Sequence, residues 1–236
     1  MAKLTLLDMT QNILSALDSD PVDSIDETVE SVQVAELIKE AFQDLMSQRE
    51  WPFLFALQPL QALGDVNNPT KMKIPDSWNK IKWLKYNKQE VSYLPPEEFK
   101  HMVDTRGGPT PNVTDANGYI INRDPVYWTS YDDVYIHFDG YIQSVESSLQ
   151  ASKSVAYAAL TPTWTHTDNF IPEIPEKFFP TLLAEAKSQA FVNLKQTSNA
   201  REERKAQRGR VIMRNEAWKN ENGEIKYNSK VNYGRR

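Results

Sequence analysis

Four residues stand close enough together to suggest chemistry: Asp132, Asp133, His137 and Asp139, in the run YDDVYIHFDG. On an extended strand Asp133, His137 and Asp139 share parity, so two carboxylates and an imidazole could face one side. Such a group could hold a metal ion or move a proton. The run falls short of a complete site. Asp139-Gly140 has the residue types of a hairpin turn, and no neighbouring group is placed to orient the ligands. His101 and His166 have no carboxylate or cysteine pattern around them. The chain has no Gly-rich phosphate loop, HExxH, GxSxG or dinucleotide fingerprint. It contains no cysteine, so disulfides and thiolate zinc sites are excluded. The expectation is a protein without catalysis, metal or cofactor.

Two other sets of side chains could bind rather than react. Trp78, Trp83, Tyr86, Tyr93, Tyr127, Trp128 and Tyr135 could stack on sugars or bases, although aromatics are also the usual filling of small sheets. The basic run Arg201, Arg204, Lys205, Arg208, Arg210 and Arg214 could meet DNA or a protein. A carbohydrate-binding or DNA-binding protein is therefore the alternative reading. The middle of the chain is mildly acidic, which counts against a nucleic-acid groove there.

The elements that must position these residues follow from punctuation and period. Thirteen of the 14 prolines lie between Pro52 and Pro180, leaving both flanks free to be helical. Thr5-x-x-Asp8 spells a capping box for a first helix, and Ser24-x-x-Glu27 another for a second. Val34, Leu37, Ile38, Ala41, Phe42, Leu45 and Met46 recur at helical spacing up to Arg49, and the Trp51-Pro52 step ends the helix. Between them the runs KMKIP, KIKWLKY, VSYL, GYIIN, PVYW and DVYIHFDGYI read as strands. Asn117-Gly118 and Asp139-Gly140 read as hairpin turns, PPEEF as a short helix start, and Asp104–Gly118 as a contact loop. From Pro175, a stripe of Phe179, Leu182, Leu183, Ala186, Ala190 and Leu194 marks a helix. Asn199 with Glu202 caps a last, basic helix that runs to about Trp218.

The fold expectation is α+β: a helical bundle formed by the N- and C-terminal segments, 1–50 and 175–219. A small β-rich lobe, 51–174, is inserted into it, and an extended C-terminal arm, 220–236, follows. Net charge is unevenly spread. Residues 1–50 hold 3 Lys/Arg against 11 Asp/Glu, and residues 201–236 hold 11 against 5. Opposite charge at the two ends suits copies or partners that meet through complementary surfaces. No stretch approaches the roughly 20 apolar residues of a membrane span, so no membrane partner and an intracellular origin are expected.

Three phrases in order carry a family resemblance: Leu45-Met46-Ser47 leading to Trp51-Pro52-Phe53; Ile74-Pro75-Asp76 leading to Leu94-Pro95-Pro96-Glu97-Glu98-Phe99; and Phe179-Pro180 with Leu183 and Ala186. Together they span about residues 5–215. The chain resembles the head-to-tail adaptors of tailed bacteriophages, the tail tubular protein A group. The loop around Arg106–Gly118 and the tail after Lys219 depart from that pattern. The resemblance implies a structural virion protein, assembled in the host cytoplasm as a homo-oligomeric ring of twelve copies. That ring would lie under the portal protein, continue the DNA channel, and meet the next tail component, a nozzle or tail tube. Genome DNA would pass without sequence-specific binding. On this reading Ile225, Tyr227, Val231, Tyr233 and Arg235 of the arm dock the portal. Arg201, Arg204, Lys205 and Arg208 form a subunit interface, and Trp51, Pro52 and Phe53 form a hinge between modules.

Overall fold

The computed structural model describes residues 3–106, 114, 117–142 and 149–222. The protein is mixed α+β. It divides into two compact units: Met1–Leu54 with the chain from Pro162 onward, and Phe55–Thr161. The boundaries therefore lie four residues after the expected 50/51 and thirteen before the expected 174/175.

In the first unit, α1 (Leu6–Ala16) begins at Thr5, whose hydroxyl accepts from Asp8 N at 3.1 Å while the Asp8 carboxylate accepts from Thr5 N at 3.1 Å. The Thr5-x-x-Asp8 box thus satisfies two of the donors a helix start leaves open. The second box expected from sequence is not the one used. α2 (Val29–Ser47) is capped by Thr28 with Ser31. Ser24 is committed elsewhere, its hydroxyl donating to the Asp168 carboxylate at 3.1 Å, and the Glu27 carboxylate closes a turn onto Asp23 N. Leu6, Met9 and Ile13 of α1 share a buried core with Val34, Ile38, Ala41 and Phe42 of α2.

Residues 162–174 contain no helix or strand but belong to this unit for a physical reason. The carbonyls of Asp168 and Phe170 accept from Leu7 N and Leu6 N, taking up two further open donors of α1. The Asp168 carboxylate also accepts from Ile25 N at 2.8 Å. Trp164 packs against Phe42 and Phe170 with ring centroids 5.4 and 4.8 Å away. A stretch without secondary structure, rich in Pro and Thr, is legible only as "not helix", so its allegiance escaped the sequence reading.

A one-turn 3-10 helix, Glu176–Phe178, leads into α4 (Phe179–Lys195), and α5 (Ala200–Asn222) returns along it. Their seam is tight. A side chain at Gly209 would bring its Cβ to 2.6 Å from Thr181 Cγ2 and 2.8 Å from Thr181 Cβ. Thr181 is itself buried, so neither helix can yield without separating. Arg210 lies on the same seam and pairs with Glu185 of α4 through Nε at 3.0 Å and Nη2. Gly209→Ala is expected to cost about 1–3 kcal/mol by overpacking. In a urea titration, the Thr181→Gly, Gly209→Ala double variant should recover most of the loss. Additive losses in that pair would contradict the seam.

The second unit is built on an eight-stranded sheet. Its strands are β1 (Phe55–Gln58), β2 (Gln61–Ala62), β3 (Lys71–Lys73), β4 (Trp78–Tyr86), β5 (Gln89–Tyr93), β7 (Tyr127–Ser130), β8 (Tyr135–Phe138) and β10 (Ser154–Leu160). The order is β1-β10-β4-β5-β7-β8-β3-β2. Neighbours are antiparallel except β5 and β7, paired at Ser92↔Tyr127 and Tyr93↔Trp128. A parallel pair needs a long crossover. Here that crossover contains α3 (Pro96–Thr105), with its prolines at the front and Glu97 and Glu98 in its first turn. β6 (Ile120–Ile121) and β9 (Gly140–Tyr141) form a separate parallel pair.

The β4–β5 hairpin turns at Asn87-Lys88, with φ of 46° and 66° and Tyr86 paired to Gln89. Two consecutive left-handed residues make this the turn that suits strand twist. Asp139-Gly140, by contrast, is no hairpin turn. The chain passes directly from β8 to β9, and a Cβ on Gly140 would sit 3.1 Å from the Ile120 carbonyl and 3.2 Å from that of Arg123. The glycine is favoured by close backbone approach. At the other expected turn, an isolated antiparallel bridge joins Thr114 to Ile120 across Asn117-Gly118. Leu84, Tyr86, Ile136, Phe138, Ala156 and Ala158 fill the core of this unit.

Candidate interaction site

The residues first singled out for chemistry do not converge. Asp139 is fully buried. Its Oδ2 accepts from Arg106 Nη1 at 2.9 Å and Arg123 Nη2 at 3.1 Å, while Oδ1 accepts from Val126 N and Tyr127 N, both at 2.8 Å. Four donors saturate the carboxylate, which ties the end of α3, the chain after β6 and the start of β7 to one point. Asp133 is exposed in a turn at φ 56°, so its parity with Asp139 along a strand does not exist. Asp132 Oδ1 accepts from Val134 N and Tyr135 N at 3.0 and 2.9 Å, and the Tyr135 amide is the main cause holding its carboxyl below the ordinary range. His137 is half-buried edge-on to Tyr131, with centroids 4.9 Å apart. Burial first, then the charge of Lys71, lowers its pKa and favours the neutral ring. Among the described residues no group of three His, Asp or Glu is arranged to hold a metal ion.

The candidate binding aromatics separate by role. Trp78 and Tyr86 are buried core. Tyr93 and Trp128 meet edge to face at 4.9 Å beside a cleft of about 350 Å³ that also touches Asn79, Ser130 and Asp133. Trp83 belongs to a different face, described below.

Sequence placed Arg201, Arg204, Lys205 and Arg208 on the last helix, and α5 brings all four to one exposed face at helical spacing. The helix start is fixed by Asn199, whose Oδ1 accepts from Arg201 N and Glu202 N at 3.2 and 3.4 Å. The opposite stripe of Ala206, Met213 and Ala217 is buried. Arg210, from the same basic run, faces inward to Glu185. Lys205 pairs with Glu202 at 2.5 Å. Arg201, Arg204 and Arg208 have no ion-pair partner among the described residues. One turn further on, Val211 and Ile212 are 49% and 56% exposed, so the cationic stripe continues into an apolar one. No local rule made the two apolar residues stand out, because only the burial of their opposite face shows that they are free.

The same unit presents the opposite charge elsewhere. Asp18, Asp20, Asp23, Asp26, Glu27 and Glu40 are all exposed on or between α1 and α2.

Trp51, Pro52 and Phe53 lie where the first unit's chain leaves α2. Trp51 is 1% exposed, and its Nε1 donates to the Leu45 carbonyl at 2.8 Å. Its ring stacks on Phe53 at 5.9 Å, and Phe53 packs on Phe178 at 6.2 Å. Pro52 opens a single 3-10 turn, Pro52–Leu54, after which β1 begins. The arm residues Ile225, Tyr227, Val231, Tyr233 and Arg235 lie outside the described residues, as do 107–113 and 115–116 of the Asp104–Gly118 loop.

Among the described residues, no helix is long and apolar enough to cross a membrane. No family model and no curated protein matches the chain.

Proposed function

We propose that this chain is a structural virion protein: a head-to-tail adaptor forming a ring between portal and tail that continues the DNA channel. On this reading the N- and C-terminal segments form a helical bundle carrying the inserted β-rich lobe, and the extended C-terminal arm docks the portal through Ile225, Tyr227, Val231, Tyr233 and Arg235. The observation that supports it most is the bipolar first unit. Arg201, Arg204, Lys205 and Arg208 with Val211 and Ile212 make one exposed stripe, while Asp18 to Glu40 supply exposed acids on another part of that unit. Two unlike, complementary patches on one subunit generate a head-to-tail contact, which closes into a ring when the rotation allows it. An acidic channel wall would let duplex DNA slide, because a basic one would bind phosphates. Adaptors of this kind perform no catalysis.

Native mass spectrometry of the full chain, alone and mixed with its portal protein, tests the proposal. Rings of about twelve subunits should form on the portal (the number the family resemblance implies), and the Arg204→Glu, Arg208→Glu variant should stay monomeric. Removing residues 220–236 should abolish portal binding while leaving the unfolding transition in place. Normal portal rings from the charge-reversed variant would remove the main support for the reading.

A further inference from the structure

One face of the lobe sheet carries a cationic aromatic surface that the adaptor reading does not use. Strand pairing sets it out. On β10, Ala156 and Ala158 are buried, so Val155 and Tyr157 point to the opposite side. Register places Val155 beside Lys85 and Tyr157 between Leu57 of β1 and Trp83 of β4. Phe55, Tyr157 and Trp83 thus form a row across three strands, with centroids 5.0 and 5.9 Å apart and rings within 25° of parallel. Each is only partly covered, and Leu57 and Val155 beside them are 62% and 40% exposed.

The charges around this row are mostly positive. A register shift skips Lys82 where Tyr157 and Ala158 pair with Trp83 and Ile81, and this bulge turns Lys82 to the aromatic side. Its Nζ lies 4.9 Å from the Phe55 ring centre, and Lys85 Nζ lies 5.3 Å from that of Trp83. Lys88, in the hairpin turn, and Lys153 border a shallow depression of about 530 Å³ with Trp83 and Val155. Across β4, β5 and β10 the one acid is Glu90, opposite Lys85. The mild acidity of the lobe as a whole therefore conceals a face on which lysines outnumber the single acid, Glu90. Cations spaced along a row of aromatic rings match a chain of phosphates whose bases are unstacked and free. Duplex DNA keeps its bases inside and would use only the lysines.

We propose that this face of β1, β10 and β4 binds single-stranded nucleic acid, with Lys82, Lys85 and Lys88 on phosphates and Trp83 and Tyr157 against bases. The inference does not depend on the adaptor reading, and loss of ring assembly would leave it standing.

Anisotropy of a labelled oligothymidine of about twenty nucleotides, titrated with the full chain between ~50 and ~200 mM salt, tests it. Binding should quench tryptophan fluorescence and exceed that of a duplex of equal length. Lys82→Ala and Lys85→Ala should each reduce the salt slope by ~0.7. Trp83→Ala should weaken binding roughly tenfold at constant salt. The lysine variants carry the test should Trp83→Ala fail to fold, since their side chains are exposed. No binding at the lowest salt would overturn the proposal, as would equal affinity for duplex or unchanged binding in the lysine variants. Polyglutamate that binds as tightly as the oligonucleotide would also overturn it, and would mark the face as a dock for an acidic protein.

Discussion

Asp139→Asn should lower the melting temperature of the transition that reports the lobe by about 15–20 °C, corresponding to about 3–5 kcal/mol. The carboxylate is 0% exposed and accepts from two guanidinium groups and two backbone amides. An amide keeps one acceptor but turns an NH₂ toward donors, leaving Arg106 or a backbone N–H without a partner in a dry place. The cost falls on removing one partner of a buried set; whether the intact set outdoes an apolar replacement is a separate question. The arginines should behave unequally. Arg123 is 44% exposed and can turn to water, so Arg123→Gln should cost no more than about 1 kcal/mol. Arg106 is 23% exposed and should cost more. Thermal melts followed by circular dichroism and tryptophan fluorescence check both values. A loss under ~1 kcal/mol for Asp139→Asn would show that the three segments do not depend on the carboxylate.

Trp51→Ala should destabilise the first unit by about 3–5 kcal/mol, by lost burial plus an unfilled cavity. The indole is among the largest fully buried side chains and packs against Phe53, while its N–H satisfies the Leu45 carbonyl near the end of α2. Trp51→Phe keeps most of the apolar contact and should lose about 1 kcal/mol with the hydrogen bond. Urea denaturation of both variants separates the packing and hydrogen-bond contributions. The pair also bears on the hinge. Where Trp51→Phe is fully folded, normal assembly on the portal would reduce Trp51 to a core residue, and lost assembly would assign the corner an orienting role.

The resemblance and the first helix start were read from local pattern, and so were most strands, because capping boxes and alternation act within a few residues. Thr5 and Asp8 needed nothing distant to find each other. Ser24 did: its hydroxyl is 144 positions from Asp168, and that contact removed it from the cap where its spacing put it. β10 went unread for a related reason. SVAYAAL is rich in alanine, a weak strand former, yet it is held between β1 and β4 with Ala156 and Ala158 fully buried in the core.

The chemistry was divided in the same way. Composition alone excluded thiolate metal sites and disulfides, and helical spacing alone placed Arg201, Arg204, Lys205 and Arg208 on one face. Whether that face was exposed depended on Gly209 meeting Thr181 of α4 and on the burial of Ala206 and Met213. Asp139 was a catalytic candidate by its neighbours in sequence and a structural clamp by its neighbours in space. The basic aromatic face of the lobe was invisible to charge counting, because strands from residues 55, 83 and 157 compose it. Sequence determined which residues each short segment could offer, since propensity, capping and period are local. Tertiary structure decided which offers were taken up, since burial and electrostatic pairing depend on distances that chain separation does not specify.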